Sequence, residues 1–299
     1  MRHKYIALLV VLLIQPACGM KKMTTRVIGN ISTSGIVAIE GEQDVEFAEE
    51  AMPALIKTLE VLRHGDTRDP RTLVLLSKAY GTYTFGFLEE RLIALPEKDP
   101  QRAAAAARAD LFYDRGKNFG VAALISDSGM RKAFDKPFPE FKRAVDGLGK
   151  KHVPALFWTA FNWANWINLH RDDPSAVVDI PRIKAMAERV IELDPGFYYG
   201  SAHALVGIIA ASRPKALGGE PELAEKEFRE AMSTEPKYLM TPVLYALFYA
   251  RQMNDAPLFR KTLEGVESAD AAALPAERLA NELAKRRAKL LLEKEKALF

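Results

Sequence analysis

The feature that most constrains the fold is a block of helix signals at 190–233. An amphipathic helix ends at Asp194-Pro195, an almost wholly apolar stretch follows, and a glycine-containing turn leads to a helix opened by Pro221. In that last helix apolar residues recur at i, i+4 and i+7, which places them on one face. This face comprises Ala224, Phe228 and Ala231. A short helix with such a face is stable only against a partner helix, so the block predicts paired helices.

Prolines that follow an acidic residue divide the chain into stretches of helix length. They include Pro70, Pro100, Pro174, Pro195 and Pro236. No alternating strand pattern longer than a few residues lies between them, so strands are not expected. The Ala-x3-Phe spacing with a later proline is typical of tetratricopeptide repeats, although the prolines here are spaced more widely than in the regular repeat.

We therefore predict an all-α fold, as an irregular tetratricopeptide-like α-solenoid of about four helix pairs. The helix that starts near Leu274-Pro275 is dense in Lys, Arg and Glu. A polar terminal helix is what a solenoid needs as a cap, so we expect it to be a charged C-terminal capping helix. Two packed helical bundles are the alternative architecture.

Four sequence blocks carry a family resemblance. They are 44–62 with Ala51-Met52-Pro53, 108–115 with Leu111 and Tyr113, 156–166 with its tryptophans, and 193–231 with Leu217-Gly218-Gly219. In this order they resemble the T component of tripartite ATP-independent periplasmic (TRAP) transporters. Proteins of that family are lipoproteins built from irregular tetratricopeptide-like helix pairs. The resemblance covers roughly residues 40 to 268.

The resemblance implies an accessory component of a TRAP-type solute uptake system that is not an enzyme. Such a component binds the soluble solute-binding (P) component. It is a possible homotrimer in which a cleft or pore of each subunit holds or passes an organic, partly hydrophobic ligand. The alternative function is a tetratricopeptide-like lipoprotein scaffold for envelope protein assembly. Transporter genes beside this gene would favour the first function over the second.

The N-terminus has the order of a bacterial lipoprotein signal. Basic residues at 2–4 precede an apolar run at 5–14, and Ala17 precedes the single cysteine of the sequence, Cys18. The apolar run is too short to span a bilayer as a stable helix. We expect a signal peptide at 1–17, a tether at 18–43 that is lipidated on Cys18, and a helical domain at 44–299.

The expected location is the periplasm, with the lipid holding the protein on the cell-envelope membrane. Gly19 stands where an aspartate would indicate retention in the inner membrane, so the outer membrane is favoured. Gln15 departs from the leucine-like residue of the usual signal. An ordinary secretory signal with a chance cysteine is the alternative.

Composition and motif spacing favour no other chemistry. The formal net charge is +3, and no basic stripe alternates with aromatic residues, so nucleic acid is not an expected partner. The histidines are scattered without metal-ligand spacing, and no metal or cofactor is expected. No Gly-x-Ser-x-Gly motif occurs, and the cysteine belongs to the signal region, so the sequence offers no nucleophile.

An aromatic helix at 152–170 is the best candidate for ligand contact. It holds all three tryptophans of the protein and several asparagines on adjacent faces. Buried amides without partners are costly, whereas a wet cleft with apolar walls suits an organic ligand of mixed character. The candidate cleft residues are Trp158, Asn162, Asn165, Trp166, Tyr198, Tyr199 and His203. The alternative is that this helix is packed core between repeats.

Lipidation of Cys18 can be tested directly. The mature protein should begin at Cys18 with Gly19 next to it, because the apolar run and Ala17 place the cleavage point there. A diacyl group together with an amide-linked chain gives stable anchoring, since a single chain binds membranes only marginally. Mass spectrometry of the mature N-terminus measures this, and a retained Met1 or cleavage at another residue would contradict it.

Overall fold

The computed structural model describes residues 34–65 and 69–299. The signal peptide predicted at 1–17, Cys18 and most of the predicted tether lie outside these residues. Within them the regular structure is helical and no strand occurs, which confirms the all-α prediction.

A helical segment at 34–40 precedes the first long helix. The α-helices of the described residues are α1 Val45–Gly65, α2 Pro70–Tyr83, α3 Glu89–Ala94, α4 Pro100–Leu124, α5 Ser128–Ala133, α6 Phe138–Asp146, α7 Val153–Leu169 and α8 Pro174–Val177. They continue with α9 Ile180–Leu193, α10 Ser201–Ala211, α11 Pro221–Thr234, α12 Met240–Leu244, α13 Ala256–Ser268, α14 Arg278–Glu293 and α15 Glu295–Leu298. Segments Thr84–Leu88 and Tyr245–Ala250 form π-helical turns that continue α2 and α12. Short 3₁₀ turns occur at Lys150–His152, Lys215–Leu217, Ala271–Ala273 and Pro275–Glu277.

The acid–proline pairs act in two ways. At Pro70, Pro100 and Pro174 the proline is a first-turn residue, and the preceding aspartate caps the helix by accepting a backbone N–H bond. Proline suits that position because its missing N–H would have no partner there, and the aspartate satisfies one of the free donors. At Asp194 and Glu235 the acidic residue instead follows the last helical residue. The same dipeptide therefore marks both starts and ends of helices.

The long helices form consecutive pairs, each with one outer and one inner member. The pairs are α1 with α2, α4 with α7, α9 with α10, α11 with α12 and α13 with α14. Each pair packs on the next through contacts such as α2 on α4, α7 on α9 and α10 on α11. The inner members α2, α7, α10, α12 and α14 all contribute side chains to one common cavity. Within 45–293 there are thus five pairs, where the sequence suggested about four.

The predicted packing face of α11 is buried as its spacing requires. Ala224, Phe228 and Ala231 are each 0 % exposed. The Phe228 ring lies edge-on to Tyr245, with ring centroids 5.5 Å apart. It also fills the space above Gly207 of α10, where an added Cβ would come within 2.9 Å of the ring. Small residues at these points allow α10, α11 and α12 to approach closely.

The charged C-terminal helix packs against the N-terminal end of the fold. Its buried residues include Leu279, Leu283, Ala284, Arg287, Ala288 and Leu291. Arg286 forms two hydrogen bonds to Glu46 of α1, at 2.7 and 2.9 Å. The Nζ group of Lys294 donates to the carbonyl of Ile93 at the end of α3. The helix expected as a polar cap therefore also joins the last pair to the first, and its charges are used in that contact.

Asn162 holds three helices together. Its Nδ2 group donates to the carbonyl of Ser77 on α2 at 3.0 Å and to the carbonyl of Trp158 on its own helix at 2.8 Å. A Cβ on Gly81 or on Gly116 would lie 2.9 or 2.2 Å from the Asn162 Oδ1 atom. The side chain is 0 % exposed and does not line the cavity. The prediction that placed it in a cleft is thus corrected: the Nδ2 group finds its partners on α2 and α7, and the Oδ1 atom is buried against α4 with no hydrogen-bond partner among the described residues.

The packing role of Asn162 gives a stability prediction. Gly116→Ala should lower the free energy of unfolding by roughly 1–3 kcal/mol, because the new methyl group has to displace a hydrogen-bonded, buried amide. Combining it with Asn162→Ala should cost less than the sum of the single changes, because the double variant removes the clash. Urea-induced unfolding measures all three variants.

Gly265→Ala is the matched control. It lies inside α13, and an added Cβ there has no neighbour within 4 Å. It should be neutral or stabilise the protein by up to about 1 kcal/mol, since glycine costs backbone entropy in a helix. Equal changes in unfolding free energy at Gly116 and Gly265 would rule out the close contact between Gly116 and Asn162. Strict additivity of Gly116→Ala and Asn162→Ala would rule it out as well.

Candidate functional site: a cavity enclosed by the inner helices

The inner helices enclose a cavity of about 460 Å³. This volume lies within the range of roughly 300–1,000 Å³ common for sites that bind small organic molecules. The wall midway along the helices is mostly apolar. It includes Met52, Leu55, Ala79, Phe87, Phe161, Ala164, Leu205, Leu244 and Leu283. Such a wall favours an apolar ligand body over a polar one.

The order of the contacts along the chain, from Glu277 beside Lys78 to Lys294 beside Ile93, shows that inner helices run in the same direction around the cavity. Near their N-terminal ends, the Lys78 ammonium lies 5.6 Å from the Trp158 ring and 5.2 Å from the Tyr198 ring. Midway, the Phe85 and Phe161 rings are 5.5 Å apart. The cavity therefore has one end formed by helix N-terminal ends and another formed by helix C-terminal ends.

Both π-helical turns lie on the cavity wall. Thr84–Leu88 supplies Phe85, Gly86 and Phe87 to the wall, and Tyr245–Ala250 supplies Leu247 and Phe248. A π turn inserts an extra residue into a helix, and such turns are frequent at functional sites. In the first turn, the Phe85 carbonyl accepts a hydrogen bond from the buried Arg287 guanidinium. The irregular backbone thus shapes the wall and connects it to α14.

The end formed by the helix N-terminal ends carries carboxyl groups and tyrosines, and we call it the acid–tyrosine end. It consists of Glu40, Lys78, Tyr198, Tyr199, Tyr238 and Glu277. Lys78 forms a salt bridge of 2.5 Å with Glu40. The side chain of Glu277 is only 3 % exposed and forms no salt bridge with a described residue. The 34–40 segment covers this end through Ile36, Ile39 and Glu40.

The tyrosines of this end stand on strained backbone. Tyr198 and Tyr199 have φ angles of 44° and 60°, and Gly200 follows at 75°. Left-handed backbone costs a residue other than glycine of the order of 1–3 kcal/mol and persists only where the surroundings enforce it. Here ring packing does so: Tyr198 lies edge-on to Trp158 at 4.9 Å, and Tyr199 stacks on Tyr238 at 5.0 Å.

Burial, together with the neighbouring Glu40 carboxylate, raises the pKa of Glu277 to about 8. The Lys78 ammonium and hydrogen bonds from Tyr199 and Tyr198 act in the opposite direction but do not cancel the increase. Burial, helped by Glu277 and Glu40, also raises the pKa of Tyr199 to about 12. At neutral pH the cavity thus holds an uncharged carboxyl group beside an ion pair.

The opposite end is basic. Arg102, Arg171, Arg251 and Lys294 line it, and Arg171 and Arg251 are exposed. Arg102 donates to the Leu92 carbonyl at 3.1 Å. Because no residue of the acid–tyrosine end is exposed, whereas this end carries exposed side chains, we call this end the basic mouth.

The structure brings together only part of the set proposed from the sequence. Trp158, Asn165 and Tyr198 line the cavity. Tyr199 borders the acid–tyrosine end by its bond to Glu277 but does not line the cavity. Asn162, as described above, lies between helices.

Trp166 and His203 face away from the cavity. The Trp166 ring stacks on His170 at 4.3 Å and has the Lys117 ammonium 4.6 Å away, which directs it toward α4. The His203 Nδ1 atom lies 2.6 Å from a Glu227 carboxylate oxygen, which directs it toward α11. Helical spacing alone did not separate these outward faces from the inner one, because each helix of a layered fold is buried on several sides.

Sequence reasoning missed Glu40, Lys78 and Glu277. Each occurs in a stretch where a charged residue is expected to be solvated, and Glu277 opens the most charged helix of the chain. The one sequence feature that is consistent with burial of Glu277 is the apolar Leu274-Pro275 pair just before it, and this feature alone did not predict the burial.

Comparison with known proteins identifies the family. The family model for the TRAP transporter T-component matches residues 41–299, nearly all of the described chain. This chain belongs to the TRAP transporter T-component family. Comparison with curated proteins finds no match. Membership makes this T component an accessory component of a TRAP transport system of the cell envelope. None of the helices described for this T component is both long and apolar enough to cross a membrane.

The raised pKa of Glu277 predicts a pH dependence of stability. The folded protein keeps the proton up to about pH 8, whereas an unfolded carboxyl with a pKa near 4.5 releases it. The contribution of Glu277 to the free energy of unfolding should therefore be largest below pH 4.5. It should decrease as the pH rises from there to about 8. Glu277→Gln should remove that fall and stabilise the T component at pH 8.

Chemical unfolding at a series of pH values measures this effect. Glu282→Gln is the control, because Glu282 lies on the same helix but is not on the cavity wall. Its pH profile should follow that of the wild type. An unchanged profile in Glu277→Gln would show that Glu277 is not held as a neutral acid.

Proposed function

We propose that this T component binds the soluble solute-binding (P) component of its TRAP system and holds or passes an organic, partly hydrophobic ligand through the cavity. The observation that carries the proposal is the enclosed cavity itself, in a member of a transport family. Its wall is apolar midway and polar at both ends. That distribution suits a ligand with an apolar body, since apolar burial supplies the affinity and a few polar groups fix the orientation.

The cavity also bears on the alternative function. A tetratricopeptide-like scaffold binds proteins or peptides on an open concave face. Here α14 contacts α1 and α3, so the inner face is enclosed rather than open. Enclosure favours a small ligand over an extended polypeptide. Scaffolding of envelope proteins is therefore the second candidate.

The proposed setting is the periplasm, with lipidated Cys18 anchoring the protein, on the outer membrane more readily than on the inner one. The sequence pattern of residues 1–18 supports this placement. A homotrimer is a possible assembly, and its support is the family resemblance alone.

Blocking the cavity should separate transport from folding. Ala164 lines the cavity on α7, so Ala164→Phe should place a ring inside it. We expect this variant to lose ligand that copurifies with the wild type and to lower solute uptake in cells. Its melting temperature should stay close to that of the wild type because the ring enters empty space. Native mass spectrometry and uptake of labelled solute are the measurements.

Ala104→Phe is the matched control on the exposed face of α4, and it should leave ligand and uptake unchanged. If Ala164→Phe took up solute and retained ligand like the wild type, the cavity would have no part in transport.

Binding of the P component needs its own test. The mature T component should retain the solute-binding protein encoded with its transporter in a pull-down, whereas an unrelated solute-binding protein should not be retained. Retention of envelope assembly proteins in place of the P component would support the scaffold function instead.

A further inference from the structure

We propose that the acid–tyrosine end of the cavity binds a primary ammonium group of the ligand, with the ligand's apolar body filling the middle of the cavity. This inference rests on the proposed function, in which the cavity holds an organic ligand. It names the chemical class of that ligand as an amphiphilic amine.

The first support is the balance of charges. Two carboxyl groups, Glu40 and Glu277, meet a single ammonium, that of Lys78. Glu40 is paired with Lys78 at 2.5 Å, while Glu277 has no cation of its own among the described residues. A buried carboxylate is stable only when it is paired, so without a partner the group keeps its proton. An entering ammonium supplies the missing positive charge.

The second support is the arrangement of rings and oxygens. The Trp158 and Tyr198 rings already hold one ammonium, that of Lys78, at 5.6 and 5.2 Å. Cations are attracted to the faces of such rings within about 6 Å, and more strongly where water is excluded. The hydroxyl groups of Tyr198, Tyr199 and Tyr238 and the Glu277 carboxyl provide acceptors for N–H donors. A primary ammonium can use both the ring faces and these acceptors.

An anionic head group fits this end less well. It would meet the Glu40 carboxylate, and the one nearby cation is already neutralised by that carboxylate. The basic mouth does not change this argument. The Ile93 carbonyl accepts a bond from Lys294, so Ile93 marks the position of the basic mouth. At 1.5 Å per helical residue, Lys78 and Ile93 are roughly 20 Å apart along the helix direction. That distance exceeds the Debye length of about 8 Å at physiological salt, and Arg171 and Arg251 are exposed to that screening.

Ammonium binding should be coupled to the proton on Glu277. Because the pKa of Glu277 is about 8, the site is protonated at neutral pH, and pairing with an ammonium releases that proton. Affinity for an amine should therefore rise with pH up to about 8. The other titratable groups that face Glu277 are Glu40, Lys78, Tyr198, Tyr199 and Tyr238. The three tyrosines have raised pKa values and stay neutral in this range.

Three probes with the same alkyl chain test the proposal: octylamine, octanol and octanoate. Isothermal titration calorimetry on the mature protein should show octylamine binding at least about tenfold more tightly than octanol, a difference typical of one added charge-assisted contact. Octanoate should bind more weakly than octanol. Titrations in buffers of different ionisation enthalpy should show proton release only with octylamine.

Glu277→Gln should bind octanol like the wild type and lose the preference for octylamine and the proton release. Glu282→Gln should keep both. If Glu277→Gln does not fold, the rise of octylamine affinity with pH in the wild type remains a test of the same coupling.

The outcomes distinguish the two proposals. Octanol or octanoate binding as tightly as octylamine would overturn the amine inference and leave the ligand-holding function standing. Failure of all three probes, together with normal uptake by Ala164→Phe, would overturn both. An amine preference that persists in Glu277→Gln would also overturn the inference, because the charge would then be recognised elsewhere.

Discussion

The cavity depends on the contact between the C-terminal helix and the first helix pair. Arg287 is central to that contact: its guanidinium is 2 % exposed, lies 4.2 Å from the Phe85 ring centroid and donates to the Phe85 carbonyl. The Glu89 carboxylate lies 3.6 Å away and accepts a bond from Tyr113 at 2.6 Å. A buried charge of this kind is tolerated only while all its partners are in place. The π-helical turn at Thr84–Leu88 and the position of α14 therefore depend on each other, and together they convert a row of helix pairs into an enclosure.

Enclosure changes what the inner helix faces can do. In an open array these faces would present an extended surface, whereas here five helix pairs share one apolar interior. Because the inner helices run in the same direction, like positions come together at each end of the cavity. Acidic and tyrosine side chains meet at one end, and basic side chains meet at the other. The polarity of the cavity is a result of this parallel arrangement.

The acid–tyrosine end combines several features that cost stability. Two tyrosines in left-handed backbone and a buried carboxyl without a cation each lower stability. Tyr198 and Glu277 line the cavity, and Tyr199 borders it beside Glu277. In the proposed amine site, the neutral carboxyl links ligand binding to pH.

The sequence by itself determined the helices, many of their boundaries and the family. Aspartate caps before Pro70, Pro100 and Pro174 involve neighbours in the chain, and the Ala224–Phe228–Ala231 face follows from helical periodicity, so both can be read locally. The aromatic helix was identified as important, but periodicity could not tell which of its faces meets the cavity.

Only the tertiary structure decided the closure and the site. The Arg287–Phe85 bond joins residues 202 positions apart, and the Asn162–Ser77 bond joins residues 85 apart. Glu277 meets Glu40 and Lys78 only because the last helix returns to the first. A charged residue has the same local sequence signature whether it is solvated or buried, because its environment is set by helices that are distant in sequence. For that reason the buried charge of Arg287, the neutral carboxyl of Glu277 and the position of Asn162 between helices could be found only from the tertiary packing. The sequence pattern did not indicate them.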